Sequence, residues 1–349
     1  SYLRRSDWFG FAVIKEISIK HNTHTLQSWQ GDCMFPHYLL ESTQETRHHW
    51  DHQLLGGLSV VQREILASNP VVARVPLDLF GWWAKNTHRY MNTQSFSDEI
   101  RMYISFYDKS EWIQTDSGTA VTAELGTVTI NGEVTDLGLY LQQHYITEAE
   151  RVVHHHKQLN VGTLEPFVDY VNVGRQTIKS LQDNFFQVEL KNLNMPVRHL
   201  IFVIRRANDL ATAYQKNYFR FYKFLGSGGT AASSGGEFLP YTSYKYMCGR
   251  VWDQYHSSHK DTKYALGFWS PTFAPEDHIN ELGCLHFGNI NNPMLNIYIG
   301  NTPFASEARD LSQGTYPGSL GAESLVVDIY TQTFNMNQSF GGTPRKVWG

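Results

Sequence analysis

Two groups of histidines are the residues whose type and spacing come closest to a chemical site. His48 and His52 lie four residues apart, so a helix would place both on one face, the spacing of a two-histidine metal motif. The catalytic form of that motif needs a glutamate beside the first histidine, and His49 occupies the position here. Residues 154–156 are three consecutive histidines, a composition that also suits transition metals. We expect a solvated or interface face at the first group and an exposed polar run at the second, so no metal ligands are predicted.

Other patterns typical of enzymes are weak or missing from the sequence. It contains no Gly-x-Ser-x-Gly elbow, no Walker A sequence and no dinucleotide-binding glycine fingerprint after a strand. Asp98-Glu99 and Glu276-Asp277 are paired carboxylates, as in glycosidases, but neighbours in a strand point to opposite faces. We therefore expect turn charges there, and we predict no catalytic residue, no cofactor and no enzymatic activity.

The composition further narrows the classes of function that the sequence allows. The chain has 349 residues, 33 acidic and 29 basic, a net charge of −4 and no run rich in lysine or arginine, so direct nucleic-acid binding is not expected. Its three cysteines are far apart and lack zinc spacing, which argues against a disulfide framework and favours a reducing compartment. The sequon Asn337-Gln338-Ser339 falls in or beside a predicted strand, so glycosylation is not expected.

The first half of the sequence predicts strands around a helical insertion. Residues 14–19 alternate like a half-buried strand, and residues 24–29 can pair back with them. The best helical region lies within residues 31–66 and ends near Gly56-Gly57, and a second short helix or a loop is expected at 60–66. Further strands are predicted at 71–79 (interrupted by Pro76), at 99–108, and at 119–130 and 133–146 around an Asn131-Gly132 turn.

The second half repeats this β pattern after a polar stretch at 147–166, which we interpret as a linker. Strands are predicted at 167–173, 185–190, 199–206, 217–224, 263–269, 283–288, 294–299 and 324–334, with a flexible loop at 226–236 and a short helix within 239–254. In the strand at 199–206 both alternating sets of residues are mostly apolar, which predicts burial on both faces, around Leu200, Phe202 and Ile204. The 14 % aromatic content is sufficient for hydrophobic cores. Because the β pattern occurs in both halves of the chain, the predicted fold class is all-β in two domains.

The order of several short motifs resembles the double jelly-roll major capsid proteins of large eukaryotic DNA viruses, virophages and Polinton-like elements. In the second half the resemblance consists of Tyr264-Ala265-Leu266, a polar loop and the strand Asn292-Pro293-Met294-Leu295-Asn296-Ile297. The other similar segments, in chain order, are residues 12–19 with Trp29, the insertion at 43–56, residues 75–80 with 100–104, and residues 329–335 with Gly341-Gly342.

The resemblance implies two tandem jelly-roll β-sandwiches with short helical insertions, the first at 1–155 and the second at 156–349. It implies a structural protein of the icosahedral virion, assembled inside the infected host cell as a homotrimeric, pseudo-hexameric capsomer. Implied partners are neighbouring capsomers, minor capsid and penton proteins, and contact with an inner membrane or a scaffold. The resemblance also implies that the first jelly roll is incomplete at its N-terminus, by about two strands before the point matching Trp8. The strand near residues 13–19 is therefore expected to show an open edge or conspicuous apolar exposure.

A carbohydrate-binding, lectin-like β-sandwich remains the alternative. Aromatic rings can form a sugar-binding platform, although buried aromatics more often serve as packing anchors. The residues in question are Trp82, Trp83, Trp112, Trp252 and Trp269.

Overall fold

The protein is described from a computed structural model. The structure describes residues 3–41, 44–58, 60–81, 83, 91, 93, 96–114, 136–178, 185–190, 193–211, 213–214, 216, 268–269, 284–289, 293–298, 309–310, 314–315 and 325–347. The strands are β1 (Arg4–Arg5), β2 (Ile14–His21), β3 (His24–Gln30), β4 (Ile100–Phe106), β5 (Ile113–Gln114), β6 (Thr163–Ile178), β7 (Phe185–Glu189), β8 (Pro196–Arg206), β9 (Phe268–Trp269), β10 (Leu285–His286), β11 (Met294–Tyr298), β12 (Arg309–Asp310), β13 (Gly314–Thr315), β14 (Leu325–Phe340) and β15 (Thr343–Lys346). The α-helices are α1 (Phe9–Ala12), α2 (Gly31–Glu41), α3 (Gln44–Leu54), α4 (Val60–Ala67), α5 (Lys109–Trp112), α6 (Glu148–Asn160) and α7 (Asn208–Ala211).

A three-stranded antiparallel sheet organises the N-terminal region, which we define as residues 3–114. Strand β2 lies in its centre, with β3 on one side and β4 on the other. Ile17 and Ile19 of β2 are buried, as the alternation predicts. The expectation of an open edge near residues 13–19 is wrong, because both edges of β2 are paired.

The predicted helical region is confirmed as three helices, α2, α3 and α4. Rings from α1 and α2 pack into an aromatic core, in which Phe11 lies 5.6 Å from Tyr38 between centroids. The prediction of a strand at 71–79 is wrong. The chain there runs without regular structure into a 3₁₀ turn at Leu77–Leu79, because Pro76 cannot donate to a strand ladder.

The C-terminal region, residues 163–347, is built on a sheet centred on β14. Strand β14, 16 residues long, pairs along one edge with β6 and along the other first with β8 and then, near its end, with β15. Short strands β9 and β10 extend the sheet beyond β8, and β7 pairs separately with β11.

Leu200 and Ile201 are consecutive and both fully buried, so burial of β8 on both faces is confirmed there. The side chains of Phe202 and Ile204, the strand predicted at 217–224, the loop at 226–236 and the helix within 239–254 lie outside the described residues.

The polar stretch between the two regions contains a helix that the linker interpretation did not predict. Helix α6 begins after Thr147, whose side chain accepts a bond from the Glu150 backbone while Glu150 bonds back to Thr147, forming a capping box. The boundary predicted between residues 155 and 156 therefore falls inside α6. The strand predicted at 133–146 is wrong over 136–146, which has no regular structure, and residues 115–135 lie outside the described part. The fold class, predominantly β with short helices, is confirmed.

Candidate functional site

The most elaborate polar site in the described residues lies at the junction of the two regions, where helix α2 packs on β14 and β6. Arg175 Nε lies 2.6 Å from Asp328 Oδ1, and its Nη2 lies 3.2 Å from Asp328 Oδ2. The same Nη2 is 3.5 Å from Asp32 Oδ2, to which Tyr330 Oη donates at 3.2 Å. We call these four residues the junction cluster. One guanidinium and one hydroxyl therefore hold two carboxylates.

The junction cluster depends on strand register. Arg175 and Asp328 are directly opposite each other in the β6–β14 ladder, which sets up the bidentate pair. The side chain of Asp328 is 3 % exposed and that of Asp32 8 %, while that of Arg175 is 42 % exposed. A carboxylate removed from water needs a counter-charge and hydrogen bonds, and Arg175 supplies them at the edge of the junction.

Aromatic packing continues the same junction into the core. The Tyr170 ring on β6 lies 5.8 Å from Phe80 and 4.4 Å from the His37 imidazole on α2. Tyr170 Oη donates to the carbonyl of Leu79 at 3.1 Å, and Gln27 Nε2 donates to the carbonyl of Phe80 at 3.2 Å. Residues of both regions thus share one continuous hydrophobic core.

The turn between β14 and β15 gives a further contact between the regions. Gly341 and Gly342 both have positive φ, 59° and 83°, as a two-residue hairpin turn of type I′ requires. Ser97, just before β4, donates its backbone N–H to the Gly342 carbonyl at 2.9 Å. A Cβ on Gly342 would lie 2.9 Å from Ser97, so the approach leaves no room for a side chain.

The two groups of histidines lie on two different helices, α3 and α6. His49 and His52 are exposed on α3, and the His48 side chain lies outside the described residues. The histidines at 155 and 156 are exposed on α6, where His156 Nδ1 lies 3.4 Å from Asn160 Nδ2. Among the described residues, no cluster of three or more His, Cys, Asp or Glu side chains could hold a metal ion.

The predicted turn charges lie where expected at Asp98-Glu99, at the start of β4. Asn22 Nδ2 donates to Asp98 at 2.8 Å, which lowers the pKa of Asp98. Glu99 pairs with Arg101 at 3.2 Å on the surface. Glu276 and Asp277 lie outside the described residues.

The tryptophans with described side chains are packing anchors. Trp112 is 7 % exposed and meets Phe9 edge-to-face at 5.3 Å, and the Trp83 ring covers Gly81. Trp269 pairs with Phe202 in the β8–β9 ladder, while Trp82 and Trp252 lie outside the described residues. Asn337 and Ser339 of the sequon lie in β14, as predicted, and are each 5 % exposed.

Sequence reasoning missed the most exposed apolar segment of the described chain. All residues from 136 to 147 are exposed, and we call this segment the arm. Its large apolar residues are 36–91 % exposed; they are Leu137, Leu139, Tyr140, Leu141, Tyr145 and Ile146. Contiguous exposed apolar surface on a soluble protein marks an interaction site. Alternation in the sequence predicted a strand, and nothing in the sequence indicated that none of the described strands would pair with this segment.

Helix α4 carries another exposed apolar surface. Val61 and Ile65 are 62 % and 60 % exposed and lie four residues apart on one helix face. Val72, 80 % exposed, follows in the segment after the helix. We call these three residues the α4 patch. None of the helices in the described part of the chain has the length and hydropathy that crossing a membrane requires.

Comparison with known proteins gives matches in structure and none in sequence. No protein-family model and no curated protein matches the chain. The VP54 protein of PBCV-1, fitted into a cryo-EM reconstruction of the virophage Sputnik, matches with a TM-score of 0.57 at 12 % identity, over 100 % of this chain and 88 % of its own. The Faustovirus major capsid protein matches with a TM-score of 0.52 at 10 % identity, over 96 % of this chain and 73 % of its own. This chain therefore shares its overall fold, predominantly β with short helices, with these two proteins.

Proposed function

We propose that the chain is a structural subunit of an icosahedral virus shell and that it resides in the virion. The observation that carries the proposal is the fold likeness to the Faustovirus major capsid protein along nearly the whole chain. A jelly roll with exposed apolar surfaces suits a protein whose work is to pack against other subunits.

The unit of assembly that we propose is a homotrimer. Three copies, each with two similar jelly rolls, present six similar corners, and such a pseudo-hexagonal unit can tile the facet of an icosahedron. The first jelly roll would comprise residues 1–155 and the second residues 156–349, joined within helix α6. Neighbouring capsomers and minor capsid proteins are the proposed further partners.

The proposed role needs no cofactor and no catalytic group. The buried charged residues include Asp32 and Asp328 of the junction cluster and Asp169, which pairs with Lys346 at 2.7 Å. Buried ionic groups can specify one arrangement of packed elements, and the proposal assigns that role to these pairs.

The test is the mass and form of the purified full chain. We expect light scattering after size-exclusion chromatography to give three times the chain mass of 40.1 kDa. Electron microscopy should show hexagonal particles under conditions that promote assembly. A stable folded monomer at micromolar concentration that binds immobilised glycans would instead support the lectin-like alternative.

A further inference from the structure

We propose that the chain forms an isopeptide bond within itself, between the amine of Lys346 and the side-chain amide of Asn335, with Asp169 as the catalytic carboxylate. The three residues lie on the neighbouring strands β15, β14 and β6 respectively. We call them the β15 triad. The inference does not depend on the proposed function, because the bond forms within one chain.

The register of the sheet brings the β15 triad to one face. Asp169 lies opposite Thr333 in the β6–β14 ladder. Lys346 lies opposite Asn337 in the β14–β15 ladder. Residues 333, 335 and 337 alternate along β14, so their side chains share one face of the sheet. Asn335 therefore lies between a carboxylate on one neighbouring strand and an amine on the other, each at the diagonal position that long side chains can reach.

The attacking and the departing nitrogen atoms contact the same oxygen atom. Lys346 Nζ donates to Asp169 Oδ2 at 2.7 Å, and Asn335 Nδ2 donates to that oxygen at 3.5 Å. The other carboxylate oxygen, Oδ1, accepts the backbone N–H of Tyr170 at 3.1 Å, which holds the carboxylate in place. One carboxylate thus reaches both the nucleophile and the leaving group, which is the position that a general acid and base needs.

The side-chain carbonyl of Asn335 is polarised by the backbone. Its Oδ1 accepts the N–H of Met336 at 2.8 Å. A backbone N–H on this oxygen stabilises the negative charge that develops there when an amine attacks the carbonyl carbon. The β15 triad and this N–H therefore supply a nucleophile, an acid and base, an electrophile and a donor to its oxygen.

Burial protects the reacting groups from water. Asn335 is fully buried, Asp169 is 2 % exposed and the side chain of Lys346 is 20 % exposed. Phe167, which lies opposite Asn335 in the β6–β14 ladder, is 1 % exposed. A site with so little exposure excludes the water that would compete with the amine for the amide carbon. Holding the amine and the amide on one carboxylate also removes the entropy cost of bringing them together.

The reaction balances without any further reagent. The ammonium of Lys346 gives a proton to Asp169, and the lone pair of the neutral amine attacks Cγ of Asn335. The Nζ–Cγ bond forms and the Cγ–Nδ2 bond breaks. The departing nitrogen takes one proton from Asp169 and one from Nζ and leaves as ammonium, while Asp169 returns to its carboxylate. Nothing is oxidised or reduced, and the reaction occurs once in each chain, so it adds no turnover to a structural role.

The bond fixes strand β15 to the centre of the C-terminal sheet. It closes a loop that contains the β14–β15 turn, whose Gly342 carbonyl accepts the backbone N–H of Ser97. A covalent cross-link restricts the unfolded chain, as a disulfide does, and an amide bond does so without dependence on redox conditions. The expected consequence is a higher melting temperature.

Intact-mass spectrometry of the purified, folded full chain tests the proposal. We expect the wild type to be lighter than its sequence mass by one ammonia molecule. Lys346→Arg keeps the positive charge but lacks the primary amine, so it should have its full sequence mass. Lys216→Arg is the matched control, because Lys216 is a similarly exposed lysine paired with Glu111 at 2.6 Å, and it should keep the mass deficit. A wild type of full sequence mass overturns the proposal.

Tandem mass spectrometry after digestion with trypsin locates the bond. Cleavage after Arg345 separates Asn335 from Lys346 in an unlinked chain, so a branched peptide that contains both residues identifies the cross-link. A bond from Lys346 to Asn337 overturns the proposal, and so does a bond to Asp169 formed with loss of water.

Substitution of the carboxylate tests its catalytic role. Asp169→Asn retains both reacting groups and should have its full sequence mass, with far-UV circular dichroism to verify that the variant folds. A folded variant that still loses ammonia overturns the assignment of Asp169. The masses of the wild type and of Lys346→Arg decide the proposal independently of whether this variant folds.

Thermal melting tests the consequence for stability. Lys346→Arg should melt about 5 °C or more below the wild type, because the loop is no longer closed, while Lys216→Arg should melt close to the wild type. A Lys346→Arg variant that melts with the wild type contradicts a stabilising cross-link.

Discussion

Strand β14 and the arm have similar sequence patterns and opposite environments. Both are segments of alternating character, and both follow the pattern from which strands are predicted. Strand β14 lies between β6 and β8 and buries Tyr330 completely, while the arm pairs with no described strand and leaves Tyr140 86 % exposed. The comparison shows that an alternating sequence is compatible with a β-strand. Whether the segment forms one depends on a neighbouring strand that can pair with its backbone.

The strongest test of this comparison is a matched pair of tyrosine truncations. Tyr330→Ala should lower the free energy of unfolding by about 3–5 kcal/mol, because it opens a cavity where the two regions meet. Tyr140→Ala should change it by less than about 0.5 kcal/mol, as expected for an exposed side chain. Urea denaturation of both variants under conditions that keep the protein monomeric would measure the difference. Equal effects would show that the arm is part of the folded core.

A matched pair of arginine substitutions tests the junction cluster. Arg175→Ala leaves the carboxylates of Asp32 and Asp328 without their counter-charge and should cost about 2 kcal/mol. That is below the 3–5 kcal/mol typical of fully buried pairs, because Arg175 is partly exposed to screening solvent. The control, Arg151→Ala, removes a surface pair with Glu148 and should cost roughly 0–1 kcal/mol. Thermal melting of the two variants would rank them, and an Arg151 effect as large as that of Arg175 would contradict the role of the cluster.

Alanine substitutions at two glycines, one in the β14–β15 turn and one in the arm, test the same difference through the backbone. Gly342→Ala places a side chain at φ 83° against Ser97 and should destabilise the protein by about 1–3 kcal/mol. Gly138→Ala in the arm meets nothing within 4 Å, so its effect should stay within about 0.5 kcal/mol. Denaturation midpoints measured by fluorescence would separate the two. A silent Gly342 variant would show that the β14–β15 turn does not dock on Ser97.

The smallest expected effect concerns the anchor of the arm. Hydrogen bonds from Thr147, led by its backbone N–H, lower the pKa of Glu150. A carboxylate whose pKa is depressed in the folded state adds stability above its unfolded pKa and loses it as the pH falls through the folded value. The first turn of α6 should therefore loosen below about pH 4.

NMR titration of Thr147→Ala tests this anchor. The variant loses the side-chain bond and retains the backbone bond, so the pKa of Glu150 should rise part of the way towards its ordinary value. The pKa of Asp98 is lowered chiefly by Asn22 and should stay unchanged, which makes Asp98 the internal control. An unshifted Glu150 would show that the capping box does not form in solution.

Several elements could be predicted because their signals are local. The alternation in β2 and β4 and the apolar run of β8 correspond to strands in the structure. Errors arose where local signals are ambiguous. Residues 147–166 are polar enough for a linker, yet Thr147 and Glu150 form a capping box, a helix-start signal within the sequence that the linker interpretation overlooked.

The sequence by itself determined the fold class, through the period-two pattern, and pointed to the capsid-protein fold through the order of its short motifs. It also argued against a reactive site, since the required residue combinations are missing. Only the tertiary structure brought Asp32, Arg175 and Asp328 together, since they are far apart in the chain and meet through strand register and helix packing. Only the tertiary structure shows that the arm pairs with none of the described strands, because pairing is a property of two segments and cannot be derived from the pattern of one.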